Sequence, residues 1–164
     1  MGGGKVNYQL LIKILKNISL VNNKNIKIFF LSKSKFNIKK QKKISNIFNL
    51  NIVFLHNLDS LDNILKKIDL AIITSGTISF EASYLNVPMI LISVAKNQEL
   101  IANSWDQLKA GINIGNSNSL NFSKKFKIAF QKITKLRNRV DMIASQKNIY
   151  KNYENKFIKI INQI

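Results

Sequence analysis

Asp69-Leu-Ala-Ile-Ile-Thr-Ser-Gly-Thr-Ile-Ser-Phe-Glu81 is the stretch on which the reading of this chain turns. Leu70 to Ile73 is a short apolar run rich in β-branched residues, the pattern of a strand buried on both faces of a parallel sheet. It halts at Ser75-Gly76-Thr77 and resumes with helical character. A turn of small residues between a strand and a helix N-terminus is an anion site. Unpaired N–H groups of Gly76, Thr77 and Ile78 point outward, the helix dipole adds partial positive charge, and glycine admits close approach to the backbone. The hydroxyls of Ser75, Thr77 and Ser79 are further candidate donors. Glu81, one turn into the helix, can accept hydrogen bonds from both hydroxyls of a ribose. A capping box centred on Glu81 would need its N-cap at Ile78, which has no hydroxyl, so the carboxylate calls for another role.

Outward from this stretch, apolar runs and helical periodicities alternate. Tyr8 to Leu20 carries apolar residues at helical spacing, Ile26 to Leu31 reads as a strand, and the Lys-rich segment Ile38 to Phe48 reads as an amphipathic helix. Ile52 to Leu55 is another strand, and Asp59 or Ser60 caps a short helix reaching Lys67. Downstream, the strand Met89 to Ile92 precedes a helix from Asn97 to about Lys109, with Gly111 as the expected C-terminal cap and Ile112 to Ile114 as a last strand. From Ser119 onward the pattern is helical alone, with breaks expected near Lys135 and Asn148. Strands alternating with helices predict an α/β fold: an open parallel sheet with helices on both faces, Rossmann-like. Residues 1–164 read as one domain, with a possible helical extension over 119–164.

Composition narrows the function classes. There is no cysteine, which excludes disulfides and thiolate metal sites, and a single histidine leaves little for an imidazole-based one, so no metal or cofactor is expected. No apolar run approaches the roughly 18–20 residues that span a bilayer. The start Met-Gly-Gly-Gly-Lys lacks a secretory apolar core, and Val6 breaks the myristoylation pattern, so the expected compartment is the cytoplasm. The formal charge of +18 raises nucleic-acid binding. Lysines spread over nearly the whole chain, only Arg137 and Arg139 as arginines, and no aromatic-basic interleaving argue against it.

After Glu81 come Leu85-Asn86-Val87-Pro88, the strand at Met89, and Ala95-Lys96-Asn97-Gln98. With Gly76, Ser79 and Glu81, this succession resembles the donor-nucleotide half of glycosyltransferase-B enzymes, and within them the UDP-sugar hydrolases of pseudaminic acid biosynthesis. The likeness runs from about Gly2 to the C-terminus and is strongest from Asp69 to Gly115. It implies a UDP-sugar ligand: phosphates at Gly76, Thr77 and Ile78, ribose on Glu81, and the sugar facing Asn97 and Gln98. Without the resemblance, Asn97 and Gln98 read as the N-cap and first turn of a helix.

The resemblance also places a Gly-Gly turn beside the phosphates after the first strand of the domain. Gly3 and Gly4 are its counterparts, and the strand before them is expected to be missing. The expectation is therefore one half of an enzyme, inactive alone, whose N-terminal half is in cis or a separate chain. The family's catalytic histidine belongs to that half. His56 lies outside the matching motif, and Asp59, Asp62, Asp69 and Asp106 show no paired spacing, so no catalytic residue is expected here. Asn86 replaces the glycine before the proline, and asparagine tolerates the left-handed turn. Asn152-Tyr153-Glu154-Asn155 departs from the hydrolases' Asp-Gly-x-Gly, which puts the sugar in question. A glycosyltransferase donor domain and a non-catalytic or nucleic-acid-binding module are the alternatives.

Overall fold

The computed structural model of the chain describes residues 8–21, 26–32, 36–58 and 60–161, with side chains through residue 152. Gly3, Gly4 and Asp59 lie outside the described residues, as do the side chains of Tyr153, Glu154 and Asn155. The elements alternate as expected of an α/β chain: α1 (Tyr8–Ser19), β1 (Lys27–Ser32), α2 (Ile38–Phe48), β2 (Asn51–His56), α3 (Asp62–Leu65), β3 (Ala71–Thr74), α4 (Thr77–Tyr84), β4 (Met89–Ser93), α5 (Asn97–Gln107) and β5 (Ile112–Asn116). Two helices close the chain, α6 (Phe122–Ile133) and α7 (Leu136–Ile161). Every strand pairing is parallel: β1 with β2, β3 with β4 and β4 with β5.

Helices cover both faces, and strand alternation decides which side chains meet which helices. Ile90, Ile92 and Ile114 face a cluster with α1 and α6, including Leu10, Phe122, Phe126 and Phe130. Ala71, Ile73, Met89 and Leu91 face the opposite way, against Ala82 of α4 and Ala102 and Trp105 of α5. A third cluster joins Leu11 and Leu15 of α1 to Phe30 of β1 and Ile44 of α2. β4 is buried along its whole length, as a central parallel strand should be.

Four details differ from the sequence reading. The strands form two hydrogen-bonded groups, β1-β2 and β3-β4-β5, rather than one continuous sheet. α5 is closed by Lys109, not Gly111: Lys109 takes the left-handed conformation (φ 56°), and Ala110 N–H reaches back to the Trp105 carbonyl at 2.9 Å. Gly111 is instead a packing position, since a Cβ there would stand 2.9 Å from Leu91 Cδ1. The short helix expected from Asp59 or Ser60 to Lys67 shrinks to α3, with the Ser60 hydroxyl accepting from Asp62 N–H at 3.2 Å. The break near Lys135 is present, but α7 runs straight through Asn148. Met142, Gln146 and Ile149 recur at helical spacing and pack on the domain, which outweighs the weak propensity of asparagine.

Candidate functional site

β3 ends at Thr74, and the chain turns through Ser75 and Gly76 into α4. Ser75 is fully buried; its N–H and its hydroxyl both donate to the Ile92 carbonyl, at 3.1 and 3.3 Å, and pin the turn to β4. Gly76 is the N-cap of α4. No side chain caps this N-terminus, and no acidic residue stands in its first turn. The positive end of the helix is therefore offered outward at the carboxyl edge of the strands.

Gly76 has an extended φ of −117°, which any residue can adopt, so backbone strain does not demand glycine. Packing does not demand it either, because a Cβ built there would meet nothing within 4 Å. What glycine preserves at this position is open space in front of the helix. Thr77 is exposed and Ile78 half-buried beside it.

Ser79 is placed differently from Thr77. It is fully buried, its hydroxyl donates to the Gly76 carbonyl at 2.7 Å, and the Ser79 hydroxyl oxygen in turn accepts from Trp105 Nε1–H at 3.0 Å. Ser79 thus fixes the turn from within, and the exposed hydroxyl is that of Thr77. Trp105, which the sequence reading passed over, holds this arrangement from α5 while its ring meets Phe80 edge-on at 5.3 Å. Glu81 is exposed and lies one turn after Thr77, so both stand on the same face of α4. Helical side chains lean toward the N-terminus, which directs the Glu81 carboxylate toward the Gly76 turn.

The turn after β4 is the neighbour of this one, because Thr74 and Ile92 pair in parallel register. Lys96 is the N-cap of α5, and Asn97 opens the helix, exposed. Gln98, half-buried, accepts at Oε1 from Val94 N–H at 3.0 Å and so closes the turn. Across the next strand, Ser117 N–H donates to the Ser93 carbonyl at 3.0 Å, and Lys13 Nζ donates to the Ser117 carbonyl at 2.6 Å. Lys13 places a cation at the same edge from α1, where no motif announced it.

His56 ends β2 opposite Ser32, exposed, on the strand group that does not carry the Gly76 turn. Asp106 is occupied structurally, accepting from Asn113 N–H at 3.0 Å. Among the described residues no cluster of histidine and carboxylates could hold a metal ion, and no helix is long and apolar enough to cross a membrane.

A family model described as lipid-A-disaccharide synthetase matches residues 4–103, more than half of the chain. The matched region ends within α5, at Asn103, and so contains the Gly76 turn, Glu81 and the turn after β4. It supports a glycosyltransferase-type domain and does not single out the UDP-sugar hydrolases. Among curated proteins no relative matches.

Proposed function

The chain belongs to the lipid-A-disaccharide synthetase family, of glycosyltransferase-B type, and from that premise we propose that it is the donor-binding domain of an enzyme that moves a sugar off UDP. The observation that carries this reading is the Gly76 turn. It combines an uncapped helix N-terminus, empty space where a side chain would stand, and an exposed threonine and glutamate one helical turn apart. Open α/β sheets take their ligands at this edge.

In the proposed complex the diphosphate sits at Gly76 on the N–H groups of Thr77 and Ile78, with the Thr77 hydroxyl as a further donor; Gly76 N–H, expected from the sequence to be unpaired, already donates to the Thr74 carbonyl at 2.8 Å. Glu81 accepts from the two ribose hydroxyls. The sugar extends toward the turn after β4, where Asn97 and Gln98 carry amide donors. The Gly3-Gly4 turn is a further proposed phosphate contact. When the sugar leaves, negative charge grows on the departing diphosphate, and a fixed dipole aimed at that charge lowers the barrier. Among the described residues no side chain is assigned as the base that activates the acceptor.

The succession Gly76, Ser79, Glu81, Pro88, Asn97, Gln98 favours a second reading, a UDP-sugar hydrolase, in which the same pocket is used and water is the acceptor. Titration calorimetry with UDP tests the shared part. Binding that is lost in Glu81→Ala and Gly76→Val, with both variants folded, is the expected result, and wild-type affinity in both overturns the assignment. Product analysis in the presence of the second domain separates free sugar from a glycoside.

A further inference from the structure

Trp105 is the only tryptophan of the chain and is 5% exposed, packed among residues of β3, β4, α4 and α5. The ring fills apolar space. Its nitrogen is a donor with no acceptor capacity, and a buried indole N–H needs an acceptor within reach. The acceptor is the Ser79 hydroxyl oxygen, at 3.0 Å.

A hydroxyl has one hydrogen. With the indole N–H pointing at Ser79 Oγ, the Ser79 proton turns elsewhere, and the acceptor at 2.7 Å is the Gly76 carbonyl. The same carbonyl accepts from Ser79 N–H at 2.9 Å, so both of its lone pairs are engaged. The indole thus selects one rotor of the hydroxyl, and the hydroxyl holds one orientation of the Gly76–Thr77 peptide. In a trans peptide the carbonyl and the next N–H point in opposite directions, and the described backbone contains no cis peptide. Since Ser79 is fully buried and draws the Gly76 carbonyl inward, Thr77 N–H is turned to the open side of the turn.

We propose that Trp105 is a positioning residue for the diphosphate. Acting through Ser79, it fixes the direction of Thr77 N–H before the ligand arrives, so that no reorganisation is needed as charge grows there. This rests on the reading of the Gly76 turn as the diphosphate site. Trp105 itself touches no ligand. Core filling alone would not call for the nitrogen, because phenylalanine supplies an aromatic ring without it.

Being alone, Trp105 gives a single indole proton–nitrogen resonance, and it is too deeply buried to meet a ligand directly. Inorganic pyrophosphate, UDP and uridine are the probes, titrated into the whole chain by NMR and by calorimetry. Pyrophosphate and UDP should shift the indole resonance saturably, with the midpoint of binding, and uridine, which has no phosphate, should leave it in place. Trp105→Phe should weaken pyrophosphate and UDP about three- to tenfold, the effect of one hydrogen bond. In a Ser79→Ala background, where the relay is already cut, it should add nothing further. Several results would overturn the proposal while leaving the donor site standing: UDP bound by wild type with the indole resonance unmoved, an equal shift with uridine, wild-type affinity in Trp105→Phe, or additive losses in the double variant. Absence of UDP binding by wild type overturns the donor site and the proposal together. The wild-type titration decides the matter even where a variant fails to fold.

Discussion

Gly76 and Gly111 sit at opposite ends of the same scale of crowding. In front of Gly76 there is nothing within 4 Å of a would-be Cβ, whereas at Gly111 the fully buried Leu91 stands 2.9 Å away. The two positions therefore separate function from stability. Gly76→Val should lower the unfolding free energy by no more than about 1 kcal/mol, the loss of a tolerated N-cap residue, yet weaken UDP at least about tenfold by occupying the phosphate's space. Gly111→Ala should cost about 1–3 kcal/mol through overpacking and leave the UDP contacts intact. Calorimetry for the ligand and urea unfolding for stability check both. Parallel loss of both quantities in both variants would contradict the assignment of Gly76.

Helix ends carry the next level of organisation. α4 closes with Asn86 in the left-handed region (φ 59°), with Val87 N–H donating to the Ala82 carbonyl at 2.8 Å and Asn86 N–H to the Ser83 carbonyl at 3.0 Å. This is the turn that delivers the chain through Pro88 into β4. Asn86→Val should destabilise by about 1–2 kcal/mol, because a β-branched residue resists that conformation, while Asn86→Gly should be neutral or slightly stabilising. α7 reaches the same region from the other end of the sequence. Gln146 is fully buried and its amide nitrogen donates to the Val87 carbonyl at 3.0 Å and the Ala110 carbonyl at 2.9 Å. It ties the segments entering β4 and β5. Gln146→Leu would leave two buried acceptors without a donor, for an expected loss of about 2–4 kcal/mol, measured by chemical denaturation. A loss below about 1 kcal/mol would mean that water replaces the amide.

At the scale of the whole molecule, net charge shapes how ligands approach. The net charge of +18 is spread along the chain, so it attracts an anionic nucleotide without defining a groove for nucleic acid. UDP affinity should fall several-fold between low and physiological ionic strength. Affinity unchanged over that range would show that the surface charge plays no part. Catalysis should be absent in the chain by itself: with one wall of the cleft, neither orientation of an acceptor nor exclusion of water is provided. Purified protein incubated with a UDP-sugar should give no multiple turnover, and sustained release of UDP would place a base within residues 1–164, with His56 the first variant to make.

The sequence by itself determined the local grammar of this protein. Alternating apolar runs and helical periodicities located all five strands within a residue or two, because parallel strands buried on both faces are continuous apolar runs whatever surrounds them. The candidate turn was readable for the same reason: Ser75-Gly76-Thr77 between an apolar run and a helix has a local meaning. Only the tertiary structure assigned opposite duties to Thr77 and Ser79, since the burial of Ser79 depends on Trp105, 26 residues away. It alone showed the left-handed turn after α5 at Lys109 and made Gly111 a packing position against Leu91, on a different strand. It alone showed the strands in two hydrogen-bonded groups. Local patterns arise from neighbours in the chain; burial, edge pairing and the division of a sheet arise from residues that meet only when the chain is folded.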